Sequence, residues 1–244
     1  MDILDGIRSF WDDDAATYDR SRSHCPRSRG EWAAWAAVLV RLLPTPPARL
    51  LDVGTGTGFL ALQAARLGHQ VTALDISPRM LEQLRARADE EGLDVRTVEA
   101  PAHEPPPGPF DAVVERHVLW TQPDPGRSLS AWRKVAPGGR LVLFESVWGS
   151  AADPAEALKQ RARQGLLRLR RVPADHHGSY GDLRDVLPLG SGTPVSVVVD
   201  LVERSGWGQP RLERLRDVEW AASLELRLPE RLLGVMPRFV IVAQ

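Results

Sequence analysis

The sequence predicts an α/β fold in which helices cover both faces of a doubly wound, mainly parallel sheet. From residue 49 onward, short apolar runs alternate with helical stretches, and this alternation is typical of parallel strands joined by crossover helices. Glycines or prolines separate most of these segments and mark the turns between them. The chain has 244 residues, 43% of them hydrophobic and 26% charged, which is enough for one large domain with a full core.

The strands and helices of this pattern follow one another from residue 49 to residue 147. Ser77 and Asp124 each precede a proline, which predicts an N-cap with proline at the first helical position. Five prolines and a glycine within 101–109 predict a loop. The predicted strands are 49–53, 70–74, 94–98, 110–115 and 140–147, and the predicted helices are 59–67, 78–91 and 125–135.

The two ends of the chain depart from this alternation. Residues 1–48 have helices rich in Trp and Ala, and we expect them to form a cap beside the sheet core of 49–148. Residues 149–192 interrupt the alternation, and we expect them to form an inserted lid. Within them we predict a helix from 153 to about 171 and a loop-rich stretch over 173–192. Residues 193–244 complete the sheet with a helix capped at Thr193-Pro194 and ending near 204, and with strands at 211–218 and 238–243.

Charge and cysteine content exclude several classes of protein. The net charge of −1 argues against a bulk electrostatic binder of nucleic acid. With Cys25 as its single cysteine, the chain can form neither an internal disulfide nor a multi-cysteine metal site. No charge-free apolar run approaches the roughly 18 residues of a membrane span, and the N-terminus is acidic where a secretory signal is basic. We expect a cytoplasmic protein without a membrane, nucleic-acid or metal partner, either a monomer or a homodimer.

The most informative segment is the glycine-rich run over 52–59, Asp-Val-Gly-Thr-Gly-Thr-Gly-Phe. It follows a strand and opens a helix, so its glycines let the backbone approach a ligand while the helix offers free N–H groups. Asp75 ends the next strand, 21 residues after Gly54. An acidic side chain at that place can accept hydrogen bonds from ribose hydroxyls. A ligand containing ribose is therefore expected.

The spacing of the glycines separates two kinds of nucleotide. Dinucleotide-binding proteins have a third glycine that would fall at position 59, but residue 59 is Phe and the third glycine is Gly58. Asp52, two residues before Gly54, would repel a pyrophosphate and attract a cationic amino group. The loop therefore favours an amino-acid-bearing nucleoside over NAD and disfavours a dehydrogenase.

These residues resemble those of the class I S-adenosylmethionine (SAM)-dependent methyltransferases. The resemblance rests on the glycine-rich run, on Asp75-Ile76, and on the stretches 110–117 and 132–141, and it covers about residues 10–147 well. It implies a Rossmann-like sheet of seven strands with the last pair antiparallel to the rest. It also implies that SAM is bound and S-adenosylhomocysteine (SAH) released, with the following cofactor contacts: Gly54, Thr55 and Gly56 around the methionine portion, and Ile76 and Met80 on the adenine.

The remaining cofactor contacts depend on departures from the family pattern and on the chain's N-terminus. Pro101 stands where the family has an acidic residue that holds the adenine amino group, so the backbone of Ala102 or the side chain of His103 would replace it. In similar enzymes a Tyr-Asp pair folds over SAM, and Tyr18 would here reach the carboxylate of SAM. The alternative is that the segment around Tyr18 is an amphipathic helix whose acidic side chains face solvent. We also include three further residues in the predicted cofactor site: Arg22, which could pair with the same carboxylate, Asp52 and Arg116.

His117 is the candidate general base. It follows the fourth predicted strand, and ligands of open parallel sheets bind beyond the carboxyl ends of the strands. A neutral imidazole there could accept a proton from a hydroxyl or amine. The alternative is a histidine that shapes the pocket or bonds the backbone. For the acceptor pocket, or equally for packing of the lid, the sequence offers Trp120, Trp148, His176, His177 and Tyr180.

The sequence therefore predicts methyl transfer to an oxygen or nitrogen of a small, planar or apolar molecule of the natural-product type. One alternative is a SAM-binding protein without catalysis. Another is a methyltransferase acting on RNA through the basic stretch over 159–171, which contains no acidic residue. That stretch can also be the solvated face of a helix, which is our expectation.

Overall fold

A seven-stranded sheet forms the centre of the computed structural model, which describes residues 2–21, 24–146, 158–159, 161–162, 165, 181–190 and 193–244. The strands lie in the order β3-β2-β1-β4-β5-β7-β6. Their bounds are β1 Arg49–Val53, β2 Gln70–Asp75, β3 Val95–Glu99, β4 Ala112–Arg116, β5 Arg140–Ser146, β6 Arg211–Arg214 and β7 Arg238–Ala243.

The directions of these strands confirm a doubly wound, mainly parallel sheet, with one correction. The first five strands pair in parallel around β1 and β4. β7 runs antiparallel to both β5 and β6. β6 must therefore run in the same direction as β5, and the expectation that both of the last strands oppose the others was wrong for β6. The chain enters β6 after a helix over 195–204, as in a parallel crossover, and two further helices separate β6 from the reversed β7.

The helices begin where their capping residues predict in the first half of the chain. The Ser77 hydroxyl accepts the Met80 N–H at 3.1 Å, and Asp124 accepts the Arg127 N–H at 2.9 Å. The helices are α1 Ile3–Asp14, α2 Arg29–Leu42, α3 Phe59–Arg66, α4 Pro78–Glu91, α5 Pro125–Val135, α6 Gly181–Val186, α7 Val195–Arg204, α8 Arg216–Leu224 and α9 Leu228–Leu232, with short 3₁₀ helices at Tyr18–Arg20 and Leu119–Thr121.

Three predictions for the second half of the chain were wrong in detail. The stretch over 173–192, predicted to be loop-rich, contains α6. Thr193 was predicted to cap the next helix, but α7 begins after Pro194, and the Thr193 hydroxyl donates to the Leu189 carbonyl at 3.2 Å instead. The strand predicted over 211–218 ends at Arg214. Leu215 and Val218 are both buried and lie three residues apart, a helical spacing, so packing against the core places the segment after Arg214 in α8. Most of the helix predicted over 153–171 lies outside the described residues.

The two faces of the sheet bury separate apolar clusters. On one face Trp35 of α2 and Phe59 of α3 pack against Phe144 of β5, with the ring centroids of Trp35 and Phe144 5.4 Å apart. On the other face Trp132 of α5 and Trp207 are buried among residues of β4 and β5. Because both faces are covered, polar groups of the central strands can reach solvent or a ligand only at the strand ends.

Candidate active site

A cavity with an empty volume of about 660 Å³ lies at the carboxyl ends of β1, β2 and β4. This is the edge of the sheet at which open α/β proteins bind ligands. The structure brings nine of the predicted site residues together in its lining: Tyr18, Gly54, Gly56, Asp75, Ile76, Met80, Ala102, Arg116 and His117.

The glycine-rich run forms a tight loop that holds the Asp75 carboxylate in place. Gly54 and Gly56 have φ of 59° and 56°, which side chains rarely adopt, and a Cβ on Gly54 would lie 2.2 Å from Val118. The Gly56 N–H donates to one Asp75 carboxylate oxygen at 2.7 Å, and the Ser77 N–H donates to the other at 2.9 Å. Burial raises the pKa of Asp75 to about 6 despite these bonds. Each oxygen keeps a further lone pair, so the carboxylate can still accept hydrogen bonds from a ligand.

Asp52 and Thr55 lie beneath this loop and outside the cavity lining. The Asp52 side chain is only 2% exposed and accepts the Thr55 hydroxyl at 2.7 Å. Burial raises the pKa of Asp52 to about 7. The Asp52–Thr55 pair therefore supports the loop from the protein interior. It acts on a ligand at most through the charge of Asp52.

The segment after α1 is bonded to the glycine loop. The Tyr18 ring stacks on His24 with centroids 3.8 Å apart, and a Cβ on Gly56 would lie 3.7 Å from it. Asp19 accepts the Thr57 hydroxyl at 2.8 Å and forms an ion pair with Arg87 of α4. Asp19 is thus engaged by the protein, and Tyr18 is held over the loop. Burial raises the pKa of the Tyr18 phenol to about 12, so the phenol remains a hydrogen-bond donor at neutral pH.

Arg116 provides the positive charge of the cavity. It ends β4, and its guanidinium donates to the His24 carbonyl at 2.7 Å while its carbon lies 4.1 Å from the centroid of the Phe59 ring. Burial lowers its pKa from the ordinary value, but an arginine remains charged. The Tyr18 hydroxyl and the Arg116 guanidinium also interact, so this end of the cavity presents two donors to an anionic group.

Helix α1 forms a wall of the cavity that sequence reasoning missed. Leu4, Ile7 and Trp11 line it, and their spacing of three and four residues is the signal that could have identified this apolar face. Asp12 accepts the Ser77 hydroxyl at 2.6 Å and the Arg79 N–H at 3.3 Å, which fixes α1 to the start of α4.

His117 also lines the cavity and has a strained backbone conformation. Its φ is 61°, and its N–H donates to the Phe144 carbonyl at 3.1 Å. Its Nδ1 lies 3.3 Å from Oε2 of Glu145, a partner that the sequence analysis did not identify. Burial and the neighbouring Glu115 raise the pKa of Glu145 well above its ordinary value.

Glu115 is a second buried carboxyl group that sequence reasoning missed. It is 0% exposed, and one of its oxygens accepts the N–H groups of Val118 and Leu119 at 2.7 and 3.3 Å. The other oxygen is buried without a hydrogen-bond partner among the described residues. Burial raises the pKa of Glu115 to about 8. Its two bonds hold the turn that follows His117.

The structure places some predicted residues elsewhere. His103 lies outside the cavity lining, with Nε2 3.5 Å from Glu104, and the Ala102 carbonyl accepts the Trp132 indole N–H at 2.7 Å. Trp120 lines a second cavity next to the first. Thr121 and Gln122 are polar lining residues that were not predicted. The following predicted residues lie outside the described part of the chain: Arg22, Trp148, His176, His177 and Tyr180.

A metal-binding cluster and a membrane-spanning helix are both absent from the described residues. Within them no cluster of three or more His, Cys, Asp or Glu side chains is arranged to hold a metal ion. No helix in the described ranges has the length and apolarity needed to cross a membrane. Of the basic stretch over 159–171, Lys159 and Arg161 are described, and both are exposed.

Comparison of the sequence with protein families identifies the central part of the chain. Residues 51–143 match the model of a methyltransferase domain. Among curated proteins, the chain is 42% identical over 101 residues to a ubiquinone biosynthesis O-methyltransferase of Xanthomonas euvesicatoria pv. vesicatoria. That alignment covers 39% of this chain and 42% of the relative, so the chain matches less than half of the relative's length.

Solved structures with a similar fold cover more of the chain. The magnesium protoporphyrin IX methyltransferase of Synechocystis PCC 6803, solved with bound SAM, covers 100% of this chain with a TM-score of 0.63 and 15% identity, and 98% of its own chain is covered. A [4+2]-cyclase covers 88% of this chain with a TM-score of 0.59 and 21% identity, and 80% of its own chain is covered. At such identities the likeness shows a shared fold and no more.

Proposed function

We propose, because residues 51–143 match the model of a methyltransferase domain, that the protein transfers a methyl group from SAM to a small molecule. The acceptor atom is an oxygen or nitrogen of a planar or apolar compound. One observation carries the proposal: the Asp75 carboxylate, bonded to the Gly56 N–H at 2.7 Å, lies in the same cavity as Tyr18 and Arg116. A ligand with a ribose at one end and an amino-acid carboxylate at the other matches both groups.

We assign each part of SAM to residues that line or adjoin the cavity. Asp75 accepts hydrogen bonds from the ribose hydroxyls, and Ile76 and Met80 provide apolar surface for the adenine. Tyr18 and Arg116 hold the carboxylate of the methionine portion. Asp52 is held beneath the loop by its bond to Thr55. Its ionised carboxylate attracts the positively charged amino and sulfonium groups of the ligand.

The protein's part in the reaction is alignment, exclusion of water and removal of a proton. SAM supplies a methyl group on a positively charged sulfur, which is already activated for displacement. The apolar face of α1 and the buried side chains on the sheet side of the cavity keep water from the reacting groups. His117 is the general base for a hydroxyl or amine acceptor, and Glu145, 3.3 Å from Nδ1, orients its ring.

A second candidate function is chemistry other than methyl transfer on the same scaffold. It is a candidate because a [4+2]-cyclase shares this fold, and a shared fold does not by itself fix the reaction. In that case SAM would bind, but no methyl group would leave it. Incubation of the protein with methyl-labelled SAM and a set of hydroxylated and aminated aromatic compounds separates the two candidates. Transfer of the label supports methyl transfer, whereas saturable SAM binding without transfer to any compound supports the second candidate.

The cofactor assignment is tested by measuring SAH binding to an Asp75→Asn variant. Asparagine keeps the size of the side chain and one acceptor oxygen but loses the charge that strengthens hydrogen bonds from the ribose. Because such bonds contribute about 1.5–3 kcal/mol each, calorimetry should show at least a tenfold loss of SAH affinity. Asp89→Asn, an exposed change on α4, is the matched control and should bind SAH as the unchanged protein does. Equal SAH affinity in a folded Asp75→Asn protein would refute the assignment.

A further inference from the structure

A second cavity, with an empty volume of about 470 Å³, adjoins the first at His117 and Glu145. His117 lines the first cavity and Glu145 lines the second. Nδ1 of His117 and Oε2 of Glu145 lie 3.3 Å apart, so the two cavities meet at this pair. A molecule in the second cavity would therefore contact Glu145, which lies beside the candidate base.

The walls of the second cavity are mostly apolar. Trp120 provides an aromatic side, and Leu189, Val198 and Ile241, three residues that are buried in the core, provide aliphatic surface around it. Flat apolar walls of this kind favour an aromatic ring over a flexible polar molecule. None of these residues takes part in the proposed SAM contacts.

Arg184 is the cationic side chain among the described residues that line this cavity. Its guanidinium carbon lies 5.6 Å from the centroid of the Trp120 ring. Its Nε is buried and has no hydrogen-bond partner within the described part of the chain. Buried polar groups are nearly always hydrogen-bonded, and a planar guanidinium matches a carboxylate. The cavity therefore has an anion-binding group on the aromatic side and the His117–Glu145 pair at its junction with the first cavity.

We propose that this second cavity is the acceptor site and that it takes a hydroxylated aromatic acid. The carboxylate pairs with Arg184, the ring lies against Trp120, and the hydroxyl faces His117. In the transfer, the hydroxyl oxygen forms the new O–C bond as the S–C bond of SAM breaks, and the hydroxyl proton passes to His117. This inference rests on the proposed function, since it names the substrate class of the same enzyme.

The test uses three hydroxylated aromatic acids, 3,4-dihydroxybenzoate, 1,4-dihydroxy-2-naphthoate and 3,4-dihydroxycinnamate, each beside its uncharged methyl ester. Calorimetry measures the affinity of each compound for the full chain saturated with SAH. We expect at least one acid to bind about tenfold or more tightly than its ester, because a charge-assisted hydrogen bond contributes about a decade in affinity. Arg184→Gln should remove this preference, and Arg184→Lys should keep part of it.

The control variant is Arg216→Gln, an exposed arginine on α8 that lines neither cavity, and it should keep the full preference. If no acid is preferred over its ester, or if Arg184→Gln leaves the preference unchanged while it still binds SAH, the inference is refuted. SAH binding is measured first in every variant. Failure of the unchanged protein to bind SAH would instead refute the proposed function, so the two failures are distinguishable.

Discussion

At the scale of single residues, His117 combines a proposed chemical role with an unfavourable backbone conformation. It is the non-glycine residue with positive φ within the described ranges, and its N–H bond to the Phe144 carbonyl holds it there. Left-handed geometry costs about 1 kcal/mol or more for a residue with a Cβ, and such strain concentrates at functional sites. The left-handed conformation of His117 ends β4 at the residue before it, and its imidazole faces the cavity.

This strain predicts an unusual order of stabilities. His117→Gly should be more stable than His117→Ala by about 1 kcal/mol, because glycine adopts positive φ without a steric penalty. Urea unfolding of both variants measures the difference. At Gln83, an exposed position inside α4, the same two substitutions should show the opposite order, with Ala more stable by about 1 kcal/mol. A His117→Ala protein at least as stable as His117→Gly would contradict the backbone assignment.

The proton-transfer role of the same residue predicts a separate kinetic result. His117→Asn tolerates the left-handed backbone but cannot accept a proton, so kcat should fall by about 10²–10⁴ while SAM affinity is retained. Higher pH should partly restore the variant when the acceptor is a phenol, because the phenol then ionises unaided. Glu145→Gln should lower kcat less, since it removes only the partner that orients the ring. Unchanged kcat in His117→Asn would leave alignment and exclusion of water as the whole of catalysis.

At the scale of elements, α1 packs against the rest of the protein through a small apolar cluster around Ile7 and through a few further contacts. Asp12 bonds the start of α4, Arg8 forms an ion pair with Glu99, and a Cβ on Gly6 would lie 3.2 Å from Leu183 of α6. Exposed ion pairs contribute little to stability, about 0–1 kcal/mol. Since the apolar side of α1 faces the cavity, a bound ligand would add contacts to it.

We therefore predict that α1 opens in the free protein and is held closed by the ligand. Hydrogen exchange of the amides over 3–14 should slow when SAH is added, and Asp12→Ala should speed exchange in the free protein. Amides of β4, in the centre of the sheet, serve as the internal control and should exchange equally slowly in both states. Equal exchange over 3–14 with and without SAH would show that α1 is a permanent wall.

At the scale of the whole molecule, buried carboxyl groups collect along one edge of the sheet. Asp52, Asp75 and Glu115 end or nearly end β1, β2 and β4, and burial raises their pKa values to about 7, 6 and 8. Glu145 near the end of β5 shifts in the same direction. This edge thus has carboxyl groups whose charged forms are unfavourable in the protein without a ligand.

The direction of these shifts predicts how stability depends on pH. A carboxyl group with a raised pKa in the folded state binds protons more tightly there than in the unfolded chain, so its stabilising contribution is lost as pH rises through the folded value. The melting temperature of the free protein should therefore fall between about pH 5 and pH 8 and level off above that. Glu115→Gln should flatten this decline, whereas the exposed change Glu90→Gln should not. A melting temperature that rises over this interval would contradict the raised values.

Local patterns were sufficient for the first half of the fold and for the glycine loop with the acid that follows it. The apolar runs, the caps at Ser77 and Asp124 and the glycine-rich run are features of neighbouring residues, so their structures could be predicted without knowing the tertiary contacts. The position of Asp75 at the end of β2 follows from the length of one strand–helix–strand unit. The division into cap, core, lid and final segment stays a prediction, as do the roles given to individual site residues.

Tertiary packing decided what those patterns could not. The segment after Arg214 is helical because Leu215 and Val218 meet the core, and β6 takes its direction from pairing with β7. Glu145 and Arg184 are distant in sequence from His117 and Trp120, so no local spacing relates them. The sequence by itself determined the strand–helix alternation, the glycine loop and the acid that follows it, since contacts between near neighbours govern these. Only the tertiary structure decided the wall formed by α1, the His117–Glu145 pair and the second cavity, because each arises where segments far apart in the chain pack together.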